Sequence, residues 1–184
     1  MRITGGEFRG RQIKLPPSRV VRPLSGKVCQ ALFNVVGSPA GWAVLDVYAG
    51  TGAVGFEAAS RGAAMVEAIE ANRTVARTIE ENARSLGLDW SYVLNVMTAE
   101  TWLAQPNNQL SPEQLQRYDL IVADPPYSKL DPEVLERLGR FLKPYGVMAV
   151  SHSSKRPSPV LESLVLAQAK QYGDSALSFY RRDT

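Results

Sequence analysis

The chain has 184 residues, a formal net charge of +3 and a hydrophobic content of 45%. This length suits one domain with a substantial core, and its short apolar runs predict no transmembrane helix. The first six residues lack the apolar segment of a signal peptide. The one cysteine, Cys29, allows neither an internal disulfide nor a zinc cluster, and its helical apolar pattern predicts a packing residue. We therefore expect a cytoplasmic monomer without a metal or membrane contact.

Positive charge is concentrated near the N-terminus. Residues 1–40 contain seven Lys or Arg and one acid, whereas the remaining 144 residues contain 14 basic and 17 acidic side chains. Such a segment fits contacts with nucleic-acid phosphates, or a solubilising N-terminus. Glycines around Phe8 favour a short twisted hairpin over a disordered tail. The predicted RNA contacts are Arg2, Arg9, Arg11, Arg22 and Lys27.

Two β-α units follow the basic segment. Ser25 can cap a helix of about a dozen residues. Residues 43–48 then form a short apolar strand that leads into a glycine-rich turn at 49–55 and a further helix. In this context glycines let the backbone turn tightly and let a ligand approach the main chain. A second strand, 65–69, ends in Glu70, whose carboxylate could accept hydrogen bonds from both hydroxyls of a ribose.

The rest of the chain continues the alternation of strands and helices. We predict an Asn72-capped helix to about residue 86, a third strand at 92–96, a polar surface excursion at 105–116, a fourth strand at 120–123, an amphipathic helix at 131–142, a fifth strand at 146–150, and strand-like runs at 163–172 and 176–181 around a tight turn. This order is typical of one doubly wound α/β domain.

The fourth strand ends in the tetrapeptide Asp124-Pro125-Pro126-Tyr127. The two prolines remove two backbone donors and fix φ, so the local carbonyls point outward as acceptors. Asp124 and the Pro125 carbonyl could accept both hydrogens of an exocyclic amine on a planar base, while Tyr127 stacks on its ring. A strand-ending turn without a function is the alternative. On the first interpretation all four residues are catalytic.

Two observations bear on the cofactor. Asp46, four residues before Gly50, would repel a pyrophosphate but suits an ammonium or sulfonium group. A dinucleotide-dependent dehydrogenase also has no use for the tetrapeptide at 124–127. We therefore predict S-adenosyl-L-methionine, which has a ribose, an ammonium and a sulfonium but no phosphate, in preference to NAD. The predicted cofactor contacts are Asp46, Tyr48, Ala49, Gly50, Thr51, Gly52, Gly55, Glu70, Ala71, Thr98 and Ala99.

The chain resembles the bacterial family of small-subunit (16S) rRNA guanine-N2 methyltransferases. The resemblance rests on the opening G-G-x-x-R-G at 5–10, on Arg22-Pro23 with Ala-Leu-Phe-Asn at 31–34, and on the glycine turn, Glu70 and the tetrapeptide. Gly-Lys-Val-Cys-Gln at 26–30 stands where the family usually has D-R-x-R-E. Thr98 takes the adenine-binding position after the third strand, and Ser151 takes the place of an acid often found after the fifth.

The resemblance implies a Rossmann-like class I S-adenosylmethionine-dependent methyltransferase. The expected domain covers residues 25–184, with a seven-stranded, mostly parallel sheet whose last strand is antiparallel. A basic RNA-binding hairpin extension, 1–24, precedes it. The implied substrate is a guanine amino group of 16S rRNA in a small-subunit assembly intermediate, with ribosomal proteins as further partners. Another amino-methyltransferase (adenine N6, cytosine N4 or a glutamine amide) and an inactive assembly factor stay open as alternatives.

Overall fold

The structure is a computed structural model that describes residues 1–16, 26–88, 90–109, 111 and 115–182. Within these ranges the α-helices are α1 (Gly26–Val36), α2 (Ala53–Ser60), α3 (Arg73–Leu86), α4 (Ala99–Leu103) and α5 (Pro132–Gly139). The strands are β1 (Ala43–Val47), β2 (Met65–Ile69), β3 (Tyr92–Asn95), β4 (Tyr118–Ala123), β5 (Leu142–Ser153), β6 (Leu164–Tyr172) and β7 (Ser175–Arg182). No helix in these ranges is long and apolar enough to cross a membrane.

The seven strands form one sheet in the order β3-β2-β1-β4-β5-β7-β6, which confirms the predicted α/β fold. The strands from β3 to β5 pair in parallel, and β7 is antiparallel to both β5 and β6. One hydrophobic cluster packs α1, α2 and α3 on one face, and a second packs α4 and α5 on the other. The strand order reverses at β1, so the ligand crevice is expected at the carboxyl ends of β1 and β4.

The strand register aligns the carboxyl ends of β2, β1 and β4 with Val150 of β5. Val47 pairs with both Ile69 and Ala123, and Ala123 pairs with Val150. Because all four strands run in the same direction, the residue that follows each of these aligned positions lies at the same edge of the sheet, and β5 continues beyond it to Ser153. In strand order across the sheet these residues are Glu70, Tyr48, Asp124 and Ser151.

The N-terminal arm, defined here as residues 1–14, forms a hairpin with one antiparallel bridge between Arg2 and Gln12. Ile3 and Ile13, one on each leg, are buried in the same cluster as α2 and α3. The predicted hairpin is therefore confirmed. The predicted boundary between residues 24 and 25, and the capping role of Ser25, lie outside the described residues.

The tip of the arm is fastened to the last turn of α2. Glu57, which is 2% exposed, accepts hydrogen bonds from the Thr4 amide at 2.8 Å and hydroxyl at 2.7 Å, and forms an ion pair with Arg61. The Ser60 carbonyl approaches Gly6 so closely that a Cβ there would lie 1.7 Å from it. Since φ of Gly6 is also +76°, only glycine fits this contact.

Two predicted elements differ from the structure in extent. The strand predicted at 146–150 begins at Leu142, because a register shift between Tyr118 and Leu120 accommodates the Pro-Tyr-Gly segment at 144–146 within β5. The helix predicted at 131–142 is shorter and covers Pro132–Gly139. Asp131 is its cap and accepts a hydrogen bond from the Glu133 amide at 2.9 Å.

The segment predicted as a polar surface excursion at 105–116 is partly buried. Leu115 is 2% exposed and belongs to the second hydrophobic cluster. Asn108 is also buried, and its amide donates to the Trp102 carbonyl at 2.6 Å. The prediction of a surface excursion is therefore wrong for these two residues. The short helix α4 before them was not predicted, because only five residues form it.

Candidate active site

The turn after β1 runs through three residues in the left-handed region. Tyr48 has φ of 62°, Gly50 of 55° and Gly52 of 74°. Such a backbone costs a non-glycine residue about 1–3 kcal/mol, so Tyr48 is strained at the start of the turn. A Cβ on Gly52 would also lie 2.7 Å from the Phe56 ring. The glycine at 52 is therefore required by the backbone and by the packing of α2.

Asp46 lies beneath this turn and is 2% exposed. Its Oδ2 accepts a hydrogen bond from the Gly55 amide at 3.0 Å. Burial raises the pKa of the Asp46 carboxyl to about 8; the Gly55 amide lowers it, and the nearby charges of Asp124 and Glu70 raise it further. A Cβ on Gly55 would meet the Tyr92 hydroxyl at 2.7 Å, so this glycine is needed for contact between α2 and the sheet.

Glu70 connects the ends of β1 and β2. Its two carboxylate oxygens accept hydrogen bonds from the Gly50 amide at 2.9 Å and the Asn72 amide at 2.7 Å. Each oxygen keeps capacity for a further donor, and the residue is only half-buried. This arrangement is compatible with binding of a ribose diol. Asn72 caps α3, as predicted, by accepting from the Thr74 and Val75 amides.

Asp124 follows β4 directly, and its amide donates to the Val47 carbonyl at 3.3 Å. Burial raises the pKa of the Asp124 carboxyl to about 6, and the Ser151 hydroxyl lowers it. Among the described residues the Ser151 hydroxyl has no partner at hydrogen-bonding distance, so its interaction with Asp124 is weak. At neutral pH the carboxyl is therefore mostly ionised and available as an acceptor.

The remaining three residues of the tetrapeptide differ in exposure. Pro125 is buried, Pro126 is exposed and Tyr127 is half-buried. The Pro126 carbonyl accepts from the Lys129 amide at 2.7 Å, whereas the Pro125 carbonyl has no hydrogen-bond donor in the described part of the chain. The Tyr127 hydroxyl donates to Ser175 at 2.7 Å, which fixes the ring. Sequence reasoning missed Ser175, since only the antiparallel return of β7 brings it beside Tyr127.

The other predicted cofactor contacts surround these groups. The Ala49 amide donates to the Ile69 carbonyl at 3.0 Å, Thr51 is buried in the turn, and Ala71 is exposed. Thr98 caps α4 by accepting from the Thr101 amide at 3.2 Å. Ala99 is 1% exposed and its side chain packs in the second hydrophobic cluster. Its contact with a ligand would therefore be through backbone atoms.

The predicted RNA contacts on the arm lie far from the tetrapeptide. Arg11 donates to the Ser85 carbonyl at 3.0 Å, near the C-terminal end of α3, and Arg2 donates to the Gly10 carbonyl at 2.9 Å. Arg9 is exposed at the tip, which contacts the end of α2. Lys27 is exposed in the first turn of α1, and Arg22 lies outside the described residues.

His152, the one histidine of the chain, is 4% exposed and faces the sheet. Its Nε2 lies 2.7 Å from the Ser178 hydroxyl, which is in turn 2.8 Å from the Ser158 hydroxyl. The ring therefore joins β5, β7 and the loop between β5 and β6. Buried in this network, His152 is a structural residue rather than a substrate contact.

A cleft among the described residues lies away from the tetrapeptide. It has a volume of about 120 Å³ and is lined by Leu103, Gln109, Arg137, Arg140 and Phe141. Phe141 directly precedes β5, so this cleft opens at the amino edge of the sheet. The candidate active site lies at the opposite, carboxyl edge.

The charges at the carboxyl edge indicate what kind of ligand can bind there. The carboxyls of Asp46, Asp124 and Glu70 are close enough that the last two raise the pKa of the first. The described residues contain no cluster of three or more side chains arranged to hold a metal ion. A cationic organic ligand with a diol fits this group, whereas a pyrophosphate would add to the repulsion. S-adenosyl-L-methionine matches both requirements, and NAD does not.

Comparison with known proteins extends this assignment. Residues 1–181 match the model of the family described as conserved hypothetical protein 95. The chain belongs to this family. The Haemophilus influenzae protein named ribosomal RNA small subunit methyltransferase D is 29% identical over 194 residues, covering 98% of this chain and 93% of that protein. The resemblance seen in the sequence is thereby confirmed.

Solved structures agree with the family. The Escherichia coli protein yhhF has a TM-score of 0.85 at 28% identity, covering 100% of this chain and 98% of that chain. SMU.776, solved in complex with SAH, has a TM-score of 0.66 at 16% identity, covering 94% and 52%. At that identity the second likeness shows the fold alone.

Proposed function

We propose that this protein transfers a methyl group from S-adenosyl-L-methionine to the exocyclic N2 of a guanine in small-subunit (16S) rRNA, within an assembly intermediate. The observation that carries the proposal is the register between β1 and β4, in which Val47 pairs with Ala123. It brings the glycine turn and the tetrapeptide to neighbouring positions on one edge. The name of the Haemophilus influenzae relative supports rRNA as the substrate class.

The cofactor is proposed to bind along the ends of β1 and β2. Glu70 would accept hydrogen bonds from the ribose hydroxyls, since each of its oxygens has capacity beyond its one backbone donor. The ionised Asp124 carboxylate would stabilise the positive charge of the ligand, and Asp46, whose pKa is raised to about 8, would add to this where it is ionised. When bound, the cofactor supplies an activated methyl group on a sulfonium centre.

The target base is proposed to lie against the tetrapeptide. Asp124 and the Pro125 carbonyl accept the two hydrogens of the exocyclic amine, which aims the nitrogen lone pair away from them. Tyr127 stacks on the base, and its hydrogen bond to Ser175 holds the ring in place. These residues act by positioning, which can contribute effective molarities of about 10⁵–10⁸ M. Methyl transfer would form a C–N bond while the methyl–sulfur bond breaks and neutral S-adenosylhomocysteine leaves. The ionised Asp124 carboxylate would accept the proton that the methylated amine loses.

The test is a mass analysis of rRNA nucleosides. Small-subunit rRNA from cells that lack the gene should contain one N2-methylguanosine fewer than wild-type rRNA. The purified protein should restore it on assembly intermediates from those cells. Loss of a methylated adenine or cytosine would point to another amino-methyltransferase. Unchanged nucleosides, together with measurable S-adenosylhomocysteine binding, would point to an assembly factor without turnover.

A further inference from the structure

A second group of exposed cations lies at the carboxyl edge of the sheet. Lys155 and Arg156 follow the end of β5, and Lys129 is two residues after Tyr127; all three are exposed. Sequence reasoning placed RNA contacts on the arm and passed over this group, because it lies in the part of the chain whose overall charge is acidic.

The position of this group is fixed by strand pairing. Ser153, the last residue of β5, pairs with Ser175, the residue that accepts the hydrogen bond from Tyr127. Paired residues of antiparallel strands have Cα atoms about 4.5–5.5 Å apart. Lys155 and Arg156, two and three residues beyond Ser153, are therefore within side-chain reach of whatever RNA surrounds a base stacked on Tyr127.

The turn that carries Lys155 and Arg156 is anchored at its N-terminal end. The Arg156 amide donates to the Ser153 carbonyl at 3.1 Å, which closes the turn. The Ser154 amide donates to the Asp174 carbonyl at 2.9 Å, and the Ser154 hydroxyl donates to the Gly173 carbonyl at 2.9 Å. These bonds join it to the turn between β6 and β7.

The far side of the loop is anchored by buried groups. Ser158 is hydrogen-bonded to the fully buried Ser178, which also contacts His152. The Tyr180 hydroxyl donates to the Pro159 carbonyl at 2.6 Å. A loop that merely carried solvated lysines would not need two buried networks to hold it. The backbone of 154–159 therefore presents its two cations in a defined place.

The cations themselves are not neutralised within the described residues. Every ion pair there involves Lys14, Arg61 or Lys143, and none involves Lys129, Lys155 or Arg156. Asp131, which caps α5, is two residues from Lys129, and the Asp174 carbonyl accepts from the Ser154 amide, but neither acid forms an ion pair with the three cations. The group therefore carries a net positive charge beside the carboxyls of the carboxyl edge.

The arm cannot supply this charge near the target base. Arg11 is bonded to Ser85, twelve residues beyond Arg73 at the start of α3, a distance of about 18 Å along a helix. Lys14 is already paired with Glu81. If the target base lies against the tetrapeptide, the phosphates next to it face the carboxyl edge, and the arm faces RNA further away.

We propose that Lys129, Lys155 and Arg156 form a phosphate-binding surface that holds the RNA strand on either side of the target base. This inference rests on the proposed function. The guanidinium of Arg156 can bind a phosphate in a bidentate manner, and the two lysines act as point charges. The surface acts together with the arm, which binds a separate part of the same RNA.

The decisive comparison uses the full chain with Lys155→Gln and Arg156→Gln combined. Its binding to a small-subunit assembly intermediate from cells lacking the gene should be weakened about tenfold at roughly 100 mM salt. The slope of log affinity against log salt should fall by about one to two units, because each lost phosphate contact removes somewhat less than one unit. Affinity for S-adenosylhomocysteine, measured by calorimetry, should equal that of the wild type.

Two control variants separate charge from structure. Lys155→Arg with Arg156→Lys keeps both charges and should keep the wild-type salt slope. Arg137→Gln with Arg140→Gln removes the same charge at the amino edge, beside the distant cleft, and should leave the slope within about half a unit. A Gln/Gln variant at 155 and 156 with wild-type affinity and slope would overturn the inference. Equal weakening by the control at 137 and 140 would also overturn it, since only general charge would then matter.

Methyl transfer, measured in parallel with binding, distinguishes this inference from the proposed function. A wild-type protein that binds the intermediate but methylates no guanine N2 contradicts the proposed function. The salt dependence of binding still tests whether the surface binds phosphates. A wild-type protein that methylates guanine, with a Gln/Gln variant that binds and methylates equally well, contradicts the surface alone. A wild-type protein that does not bind the intermediate contradicts both.

Discussion

The carboxyl edge and the N-terminal arm occupy opposite ends of helix α2. The glycine turn meets the first residue of α2, and the arm closes on Ser60, its last residue, roughly 12 Å further along the helix. At the edge, the carboxyls of Asp46 and Glu70 accept hydrogen bonds from backbone amides, whereas the arm carries exposed cations. Under the proposed function, the edge would carry out the chemistry and the arm would contribute affinity for RNA distant from the target base.

The largest effect expected from this division is at Asp124. Asp124→Asn should lower kcat by a factor of about 10² or more, because the carboxylate acts in the transition state. Affinity for S-adenosylhomocysteine should stay within about threefold, since the amide keeps the shape of the site. Single-turnover methylation and calorimetry measure the two quantities. Normal turnover of this variant would contradict a role for Asp124 in the reaction.

The pH profile sharpens the same prediction. Because the pKa of the Asp124 carboxyl is raised to about 6, the ionised acceptor is lost as the pH falls below that value. Methylation by the wild type should therefore rise from pH 5 to pH 7 and then level off. The residual activity of Asp124→Asn should lack this rise. Parallel profiles for the two proteins would assign the ionisation to another group.

The edge was predictable from sequence to a degree that the arm was not. Glu70 and Asp124 each follow an apolar run, and parallel strands bring such positions together at one edge whatever their separation in the chain. Glu57 gave no comparable signal, because an acid within Phe-Glu-Ala-Ala-Ser looks like an ordinary helical surface residue. In the fold it is 2% exposed and accepts hydrogen bonds from Thr4 of the arm. Position in a sheet follows from strand order, but the site where a charged segment docks depends on partners that the pattern does not identify.

The second-largest effect is expected at Glu70. Glu70→Ala should weaken S-adenosylhomocysteine binding by about 1–3 kcal/mol through lost charged hydrogen bonds. Asn72→Ala is the matched control, because it removes the cap of α3, worth about 1 kcal/mol of stability, without touching the proposed ribose contact. Calorimetry should therefore give different affinities for the two variants, although thermal unfolding does not distinguish their stabilities. Equal affinities for both would make Glu70 a residue that only shapes the turn.

A smaller effect is expected in the pH dependence of stability, through Asp46. The folded protein raises the pKa of this carboxyl from 3.8 to about 8, so between these values it holds a proton that the unfolded chain releases. The free energy of unfolding contributed by this group therefore falls as the pH rises from about 4 to about 8. Asp46→Asn should remove that fall. The Tm of this variant should therefore rise relative to the Tm of the wild type as the pH increases from 5 to 8. Parallel Tm curves would show that Asp46 ionises normally.

The smallest effect is expected from the arm. Arg9→Gln combined with Arg11→Gln should reduce the slope of log affinity for the assembly intermediate against log salt by about one unit per lost contact, or a little less. The change should lie nearer one unit than two, because Arg11 already donates to the Ser85 carbonyl and has less freedom to reach a phosphate. Cofactor affinity should be unaltered, since the tip of the arm meets the far end of α2.

Footprinting locates that loss. In the Arg9→Gln/Arg11→Gln variant, RNA positions distant from the methylated guanine should lose protection. The nucleotides next to that guanine should stay protected. Binding measured from 50 to 200 mM salt, roughly the range over which phosphate contacts are felt, should show the shallower slope. An unchanged slope would make the arm a solubilising segment. Loss of protection next to the guanine would bring the arm to the target base and end the division between the two regions.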